Sequence, residues 1–290
     1  MCKPGASCHH RGVSGTLWIV GTPIGNLADL APRAREVLAA VDVIAAEDTR
    51  RTGRLLRSIG VRRELVSLFE GNERSRIEPI LERLLDGDDV ALVSDAGMPL
   101  VSDPGARLVR ACVERGLDVR VVPGPSAALA ALVVSGFATD RFTFEGFLPR
   151  KPSARMRRLE ALRHDPRTAV VFEAPGRVHT LLRDVLVVLG DRRVALAREL
   201  TKRHEEIRRG RASEVLGGLE EDVRGEVVLV IEGAREAAPV DLGACVEEVR
   251  ELVRAGVRRR DAARAVGERR GVSANDLYEA VLAADDGSTG

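Results

Sequence analysis

The sequence predicts an α/β protein: two α/β domains flanking an active-site cleft, followed by a small helical extension at the C-terminus. Three observations lead there. Through the first half of the chain, short runs of Val, Ile, Leu and Ala alternate with segments of helical periodicity, the pattern of a mostly parallel sheet covered by helices. Strong breaks fall at Pro123-Gly124-Pro125 and after Gly233. The apolar run Val90–Val93 empties into Ser94-Asp-Ala-Gly-Met-Pro-Leu-Val-Ser-Asp-Pro-Gly105, longer and more polar than the two to five or so residues of a simple connection. In open α/β sheets ligands sit outside the carboxyl ends of strands, so this loop is the first place to look for a bound small molecule.

Taken in order, residues 1–14 read as a disordered tail, because they carry Gly and Ser and no hydrophobic periodicity. Cys2, Cys8, His9 and His10 lie in it, and no metal site is expected from them. The first domain spans 15–122. Its strands are Leu17–Val20, Val41–Ala46, Glu64–Leu68, Val90–Val93 and Asp118–Val122. Helices are expected after Asn26 through Ala40, over Thr52–Ile59, from about Ser75 to Leu85, and from Ala106 to Val113. Pro123-Gly124-Pro125 marks the junction to a second domain, 123–236, which opens with an apolar helix from Ser126 to Val134. Strands follow at Arg141–Phe147, Thr168–Phe172, Arg193–Leu200 and Glu226–Glu232, with helices around Ser153–Arg163 and Val178–Leu189 between them. Ala234–Asp241 has linker composition. Residues 237–290 then form two or three short helices from Leu242 onward, with Ser273 and Asn275 placed to cap the last.

Composition narrows the function classes. The 290 residues carry a net charge of +1, so no global field draws the chain to nucleic acid or membrane. Lysine occurs only at Lys3, Lys151 and Lys202, leaving 42 arginines among 45 basic residues, a bias that fits a GC-rich genome. Four cysteines, Cys112 in a helical pattern among them, form no paired framework and suit a reducing cytoplasm. No apolar run reaches the 18 or so residues that span a bilayer, and no signal-peptide core is present.

Several segments carry possible chemistry. Gly21 to Asn26 is a Gly-rich first loop, but a Walker A loop ends in Gly-Lys-Ser/Thr, whereas Gly25 here precedes Asn26 and Leu27. The dinucleotide fingerprint Gly-x-Gly-x-x-Gly is missing too. Alone, the loop reads as a tight turn. Glu47-Asp48-Thr49-Arg50 closes the second strand: a carboxylate there can take a proton and an arginine can hold a phosphate. Equally, Asp48 or Thr49 can cap the next helix, with Arg50 and Arg51 solvated, and spacing leaves both readings open. Pro123 to Ala127 begins a helix whose amides favour an anionic group, with Ser126 a plain N-cap otherwise. Arg150, Lys151, Arg155, Arg157 and Arg158 place five basic residues in nine positions, a density that suits RNA phosphates better than a merely solvated helix face. Phe172 to Arg177 and Arg198 to Glu206 put mixed charge at strand ends. His204 stands without a nucleophile, and neither zinc spacing nor a Gly-x-Ser-x-Gly elbow occurs.

Together, Val20-Gly-Thr-Pro-Ile-Gly-Asn-Leu27, Ala46-Glu-Asp-Thr-Arg50, Ser94 to Gly105, Val122-Pro-Gly-Pro-Ser-Ala127, Phe147-Leu-Pro-Arg150, Phe172-Glu-Ala-Pro-Gly-Arg177 and Arg198-Glu-Leu-Thr-Lys202 with His204-Glu-Glu206 resemble one family. It is the ribosomal RNA small-subunit methyltransferase I family, a branch of the tetrapyrrole-methylase-like, class III S-adenosylmethionine (SAM) enzymes. The resemblance runs in order from about Thr16 to about Leu282. It implies SAM in a cleft between two α/β domains, usually in a homodimer. It implies transfer of a methyl group to the ribose 2′-hydroxyl of a cytidine in the decoding region of 16S rRNA, on the 30S subunit, in the cytoplasm. Carried over by motif, the cofactor contacts are Pro23, Asp95, Ala96, Gly97, Met98, Val101, Ser126, Ala127, Phe172, Leu200 and Thr201. Asp48 and Glu47 are then candidates for the base or orienter, with Arg50 and Lys202 for RNA phosphate and Arg150 to Arg158 for the RNA grip. The form Ser94-Asp95-Ala96-Gly97 matches the rRNA branch, whereas tetrapyrrole-making relatives usually show Gly-Asp-Pro. Ala174, where serine is the more usual residue, is the main departure. Two alternatives stand beside this reading, a tetrapyrrole C-methyltransferase and a non-catalytic ribosome-associated RNA-binding protein.

Overall fold

The computed structural model describes residues 14–234 and 241–286; the tail, with Cys2, Cys8, His9 and His10, and most of the expected linker lie outside the described residues. The chain divides into two compact units, one ending at Ala234 and one beginning at Arg235.

The first unit holds two five-stranded sheets. Strands β1 (Thr16–Val20), β2 (Val43–Ala46), β3 (Glu64–Ser67), β4 (Val90–Val93) and β5 (Asp118–Val122) form the first, in the order β3-β2-β4-β1-β5. Every pairing in it is parallel. Parallel strands need crossovers, and α1 (Pro32–Ala40), α2 (Thr49–Ser58), α3 (Glu73–Leu85) and α4 (Ala106–Glu114) supply them. β2 and β4 are buried along their whole length, which is why Val43-Ile-Ala-Ala46 and Val90-Ala-Leu-Val93 read as unbroken apolar runs. Leu17, Leu92 and Leu108 pack on one face of the sheet, and Leu38, Ile44 and Leu56 on the other.

Helix α5 (Ala127–Ser135) leads from this sheet to the second, built from β6 (Phe142–Phe147), β7 (Thr168–Glu173), β8 (Arg193–Arg198), β9 (Glu206–Arg211) and β10 (Val227–Ile231). Its order is β6-β7-β10-β8-β9, with only the β6–β7 pair parallel. Helices α6 (Pro152–Glu160), α7 (Val178–Leu189) and α8 (Ala212–Gly217) complete this part of the unit. Leu159, Leu181, Leu182 and Val185 of α6 and α7 pack with Val171, Leu196 and Leu229 of the sheet. α5 packs on Val170, Ala195, Ala197 and Val228, together with Ile24 from the loop after β1. A side chain of the first sheet's loop is thus part of the second sheet's core.

β9 was not among the strands expected from sequence. Glu-Ile-Arg-Arg-Gly-Arg has no apolar alternation because β9 is an edge strand, and charged edges block further pairing.

The second unit is three helices: α9 (Leu242–Arg254), α10 (Arg259–Arg270) and α11 (Ala274–Asp286). Val249, Ala262, Ala263, Val266, Leu277 and Val281 form its core. Ser273 caps α11 by accepting from the Asp276 amide (3.4 Å), whereas Asn275, also expected as a cap, is already inside the first turn. Its arginines are largely spoken for: Arg269 and Arg270 both bind Glu248, and Arg259 binds Asp285.

Candidate functional site

The site forms where β1, β4 and β5 end. β1 and β4 are neighbours whose following helices, α1 and α4, pack on opposite faces of the sheet, and a crevice forms at the strand ends where connections part to the two faces. Thr22 and Gly97 exchange two backbone hydrogen bonds (2.8 and 3.1 Å), and the Gly21 amide donates to the Val122 carbonyl (3.0 Å). A Cβ on Gly21 would lie 2.7 Å from Gly124 Cα, so the two loops touch backbone to backbone. Glycine is needed at both contact points for that reason. In the long loop after β4, Gly97 has φ +83, and two residues with side chains, Leu100 (φ +73) and Ser102 (φ +67), also adopt left-handed backbone. Each costs on the order of 1–3 kcal/mol and is held there by its surroundings.

Two cavities adjoin this knot of loops. The first, about 350 Å³, is lined by Ala96, Gly97, Met98, Val101, Ser126, Ala127 and Phe172, seven of the eleven expected cofactor residues. Its polar lining is acidic: Asp103, Glu173 and Glu226 contribute, and none of its lining residues is Lys or Arg. Phe172 is fixed by edge-to-face contacts with Phe144 and Phe147, ring centres 5.0 and 5.7 Å apart. The second cavity, about 290 Å³, is lined by Pro23, Asp95 and Lys202 among the expected residues, and by Arg51 and Arg54. Ile24, Ala96 and Glu226 are shared, so the two chambers meet at a common wall.

The remaining expected residues sit around these chambers rather than in them. Leu200 is buried in the core beneath α5, and Thr201 Oγ1 accepts from the Asn26 amide (3.1 Å), tying the β8 end to the first loop. Glu47, Asp48 and Arg50 line neither cavity. Asp48 is the N-cap of α2, accepting from the amides of Arg50 (2.8 Å) and Arg51 (3.4 Å). Those amides hold its carboxyl below the usual range, which suits a cap and not a base. Glu47 accepts from the Asp95 amide (3.2 Å) while Asp95 accepts from the Asp48 amide (3.1 Å), a reciprocal clasp joining the ends of β2 and β4. Burial pushes both the Glu47 and the Asp95 carboxyls upward.

The residue missed from sequence is Asp103. It lines the larger cavity, and burial pushes its carboxyl up to about 6, with the charges of Glu47 and Asp95 adding and the Ser94 hydroxyl opposing. Its signal was present as the second carboxylate of the Ser94–Gly105 loop. Glu173 is also raised by burial; its Oε2 lies 3.2 Å from Arg177 without forming an aligned hydrogen bond. Lys202 ion-pairs with Glu199 (2.8 Å) and Glu226 (3.2 Å). Burial pulls its ammonium down, but the two carboxylates outweigh that and the net shift is upward.

The expected RNA patch divides. Arg155 is buried, with Nε 2.5 Å from Asp184 and Nη1 on the Arg150 carbonyl (3.1 Å), so it braces α6 and offers no free face to a phosphate. Arg158 reaches Glu145 at 2.6 Å. Among the described residues Arg150, Lys151 and Arg157 are left without an ion pair, and all three are exposed. Among the described residues no group of three or more His, Cys, Asp and Glu is arranged to hold a metal ion, and no helix is long and apolar enough to cross a membrane.

Residues 16–216 match the family described as Tetrapyrrole (Corrin/Porphyrin) Methylases. The chain is 46% identical over 272 residues to the ribosomal RNA small subunit methyltransferase I of Escherichia coli O157:H7, covering 92% of this chain and 95% of that one. It is 49% identical over 220 residues to the protein of the same name from Thermotoga maritima, covering 76% of this chain and 99% of that one. Among solved structures, the uroporphyrin-III-C-methyltransferase of Thermus thermophilus superposes with a TM-score of 0.55 at 23% identity, over 75% of this chain and 94% of that one, a likeness of fold alone.

Proposed function

The chain belongs to the ribosomal RNA small subunit methyltransferase I group of the tetrapyrrole methylases, and from that membership we propose that it carries the methyl group of SAM to the ribose 2′-hydroxyl of a cytidine in the decoding region of 16S rRNA. The substrate is the 30S subunit, and the work is done in the cytoplasm. The observation that supports this most is the pair of adjoining chambers, one lined by carboxylates without Lys or Arg, the other by Arg51, Arg54 and Lys202 beside Asp95 and Glu226.

The larger chamber fits SAM. SAM, when bound, supplies an electrophilic methyl carbon on a positively charged sulfur. Asp103, Glu173 and Glu226 suit that charge, Met98, Val101, Ala127 and Phe172 offer an apolar bed, and the absence of Lys and Arg from the lining disfavours a phosphate-bearing cofactor. The smaller chamber, with Arg51, Arg54 and Lys202, suits an anionic backbone. Ile24, Ala96 and Glu226 at the common wall would then lie between cofactor and backbone, where they can align the hydroxyl with the methyl donor, and such alignment contributes a large share of rate acceleration.

A ribose hydroxyl is a weak acid and its proton must go to a base as the new O–C bond forms. Asp103 takes that role in place of Asp48, whose oxygens are committed to helix amides. Glu47 positions Asp95 and through it the loop. The enzyme works as a homodimer: α5 is apolar from Ala127 to Val134, Leu129 and Val133 are exposed on it, and Val121 is exposed on the edge strand β5.

Radiolabelled SAM offered with unmethylated 30S subunits, and separately with uroporphyrinogen, tests the reading. Label is expected in 16S rRNA as 2′-O-methylcytidine. Label on uroporphyrinogen would replace the reading by tetrapyrrole methylation, and SAM binding without transfer to either would leave a non-catalytic protein.

A further inference from the structure

We propose that helix α2 is the track along which the RNA backbone enters the site, with Arg54 and Arg57 gripping successive phosphates; this rests on the rRNA reading above. α2 reads Thr-Arg-Arg-Thr-Gly-Arg-Leu-Leu-Arg-Ser and contains no acidic residue. At about 100° per residue, Thr52 and Leu56 mark its buried side, and Arg50, Arg51, Arg54 and Arg57 gather on the opposite side, all exposed. Arg51 is held by Asp95 (3.3 Å) and Arg50 lies 3.8 Å from Asp48. Among the described residues the guanidinium groups of Arg54 and Arg57 have neither an ion pair nor a hydrogen-bond partner.

A solvated helix face does not account for this arrangement. Surface helices gain from opposite charges three or four residues apart and lose from like ones, and here Arg50, Arg54 and Arg57 follow one another at those spacings. Arg50 and Arg51 also stand in the first turn, where the helix dipole disfavours cations. Arg57 in the last turn suits the dipole, but the run of like charges and the cations of the first turn stand against the helix's own stability, which an anionic partner would relieve. The stripe also has a destination. Arg51, Arg54, Leu55 and Ser58 line the smaller chamber, which meets the SAM-type cavity at Ile24, Ala96 and Glu226. A phosphate on Arg54 thus places the adjoining ribose at the mouth of the chamber where methyl transfer occurs. The patch around α6 is the weaker grip, because none of Arg150, Lys151, Arg155, Arg157 and Arg158 lines either chamber.

The test is binding of a single-stranded oligoribonucleotide at a series of salt concentrations, with R54Q/R57Q, R54K/R57K and R150Q/R157Q compared with the unaltered protein. Two lost phosphate contacts shallow the log–log salt slope by about 1.4. We expect that change in R54Q/R57Q, restoration in R54K/R57K, a smaller change in R150Q/R157Q, and an unchanged Kd for SAM in all three. An unaltered slope in R54Q/R57Q, or a full change confined to R150Q/R157Q, overturns the proposal. Methyl transfer to 30S subunits by the unaltered protein is scored separately, so failure of the track and failure of the rRNA reading give different results.

Discussion

Asp103 shows how one side chain couples activity to stability. Its carboxyl is pushed up to about 6 in the folded protein, against an ordinary value of 3.8. As a base it works only when ionised, so turnover should rise through pH 6 and level off above it, and D103N should lose that limb together with most of the rate. Typical losses for a general base are about 100- to 10,000-fold. The linkage has a definite sign. A raised carboxyl binds its proton more tightly in the folded state, so its favourable contribution is complete below the unfolded value and fades as pH climbs through 6. D103N should therefore melt higher than the unaltered protein at pH 8 while the two converge near pH 4. A flat difference in melting temperature across that range would argue that the carboxylate is not buried as described. Asp48, by contrast, was legible as either base or cap, and only the amides of Arg50 and Arg51 decide for the cap. Sequence spacing marks which loop holds the carboxylates. It cannot say which of them loses its water.

At the scale of elements, the loop ends of β1, β4 and β5 behave as one body. Gly21→Ala would drive a methyl group against Gly124 Cα at 2.7 Å, a clash with backbone that cannot swing away. We expect a loss of about 1–3 kcal/mol in denaturant unfolding, as in other overpacked sites, and weaker SAM binding. Gly53→Ala serves as the contrast: its Cβ would sit 3.6 Å from Leu65 inside α2, and the gain should be up to about 1 kcal/mol. If both substitutions proved neutral, the close approach of the loops would be wrong. The strands of the first sheet could be read directly because parallel, doubly covered strands such as β2 and β4 are apolar from end to end. β9 could not, because an edge strand is selected for what it refuses to pair with. Likewise the cavity-lining residues from Ala96 to Val101 stood in one conspicuous loop, and Arg50 stood in a motif, whereas nothing in the sequence separates Arg54 and Arg57 from ordinary surface arginines.

Over the whole molecule, the exposed Leu129 and Val133 of α5 and Val121 of β5 are the surface proposed to close a dimer. Light scattering should report a dimer for the unaltered chain and a monomer for L129E/V133E; a monomer in both, or a dimer in both, sinks that assignment. Among the ties between the two sheets are Ile24 in the second sheet's core and Thr201 on the Asn26 amide. Around those ties stand four side-chain-bearing residues with left-handed backbone, Leu100 and Ser102 on one bank and Glu199 and Thr201 on the other. Their cost is incurred once, when the chain folds, so a ligand arriving later finds its bed already made and loses little freedom in settling there. The same arrangement narrows evolutionary latitude. A domain with a margin of only about 5–15 kcal/mol that commits part of it to loop shape has less to lose elsewhere. Truncating a distant core leucine such as Leu182 should therefore be felt at the mouth of the site before it is felt as global unfolding.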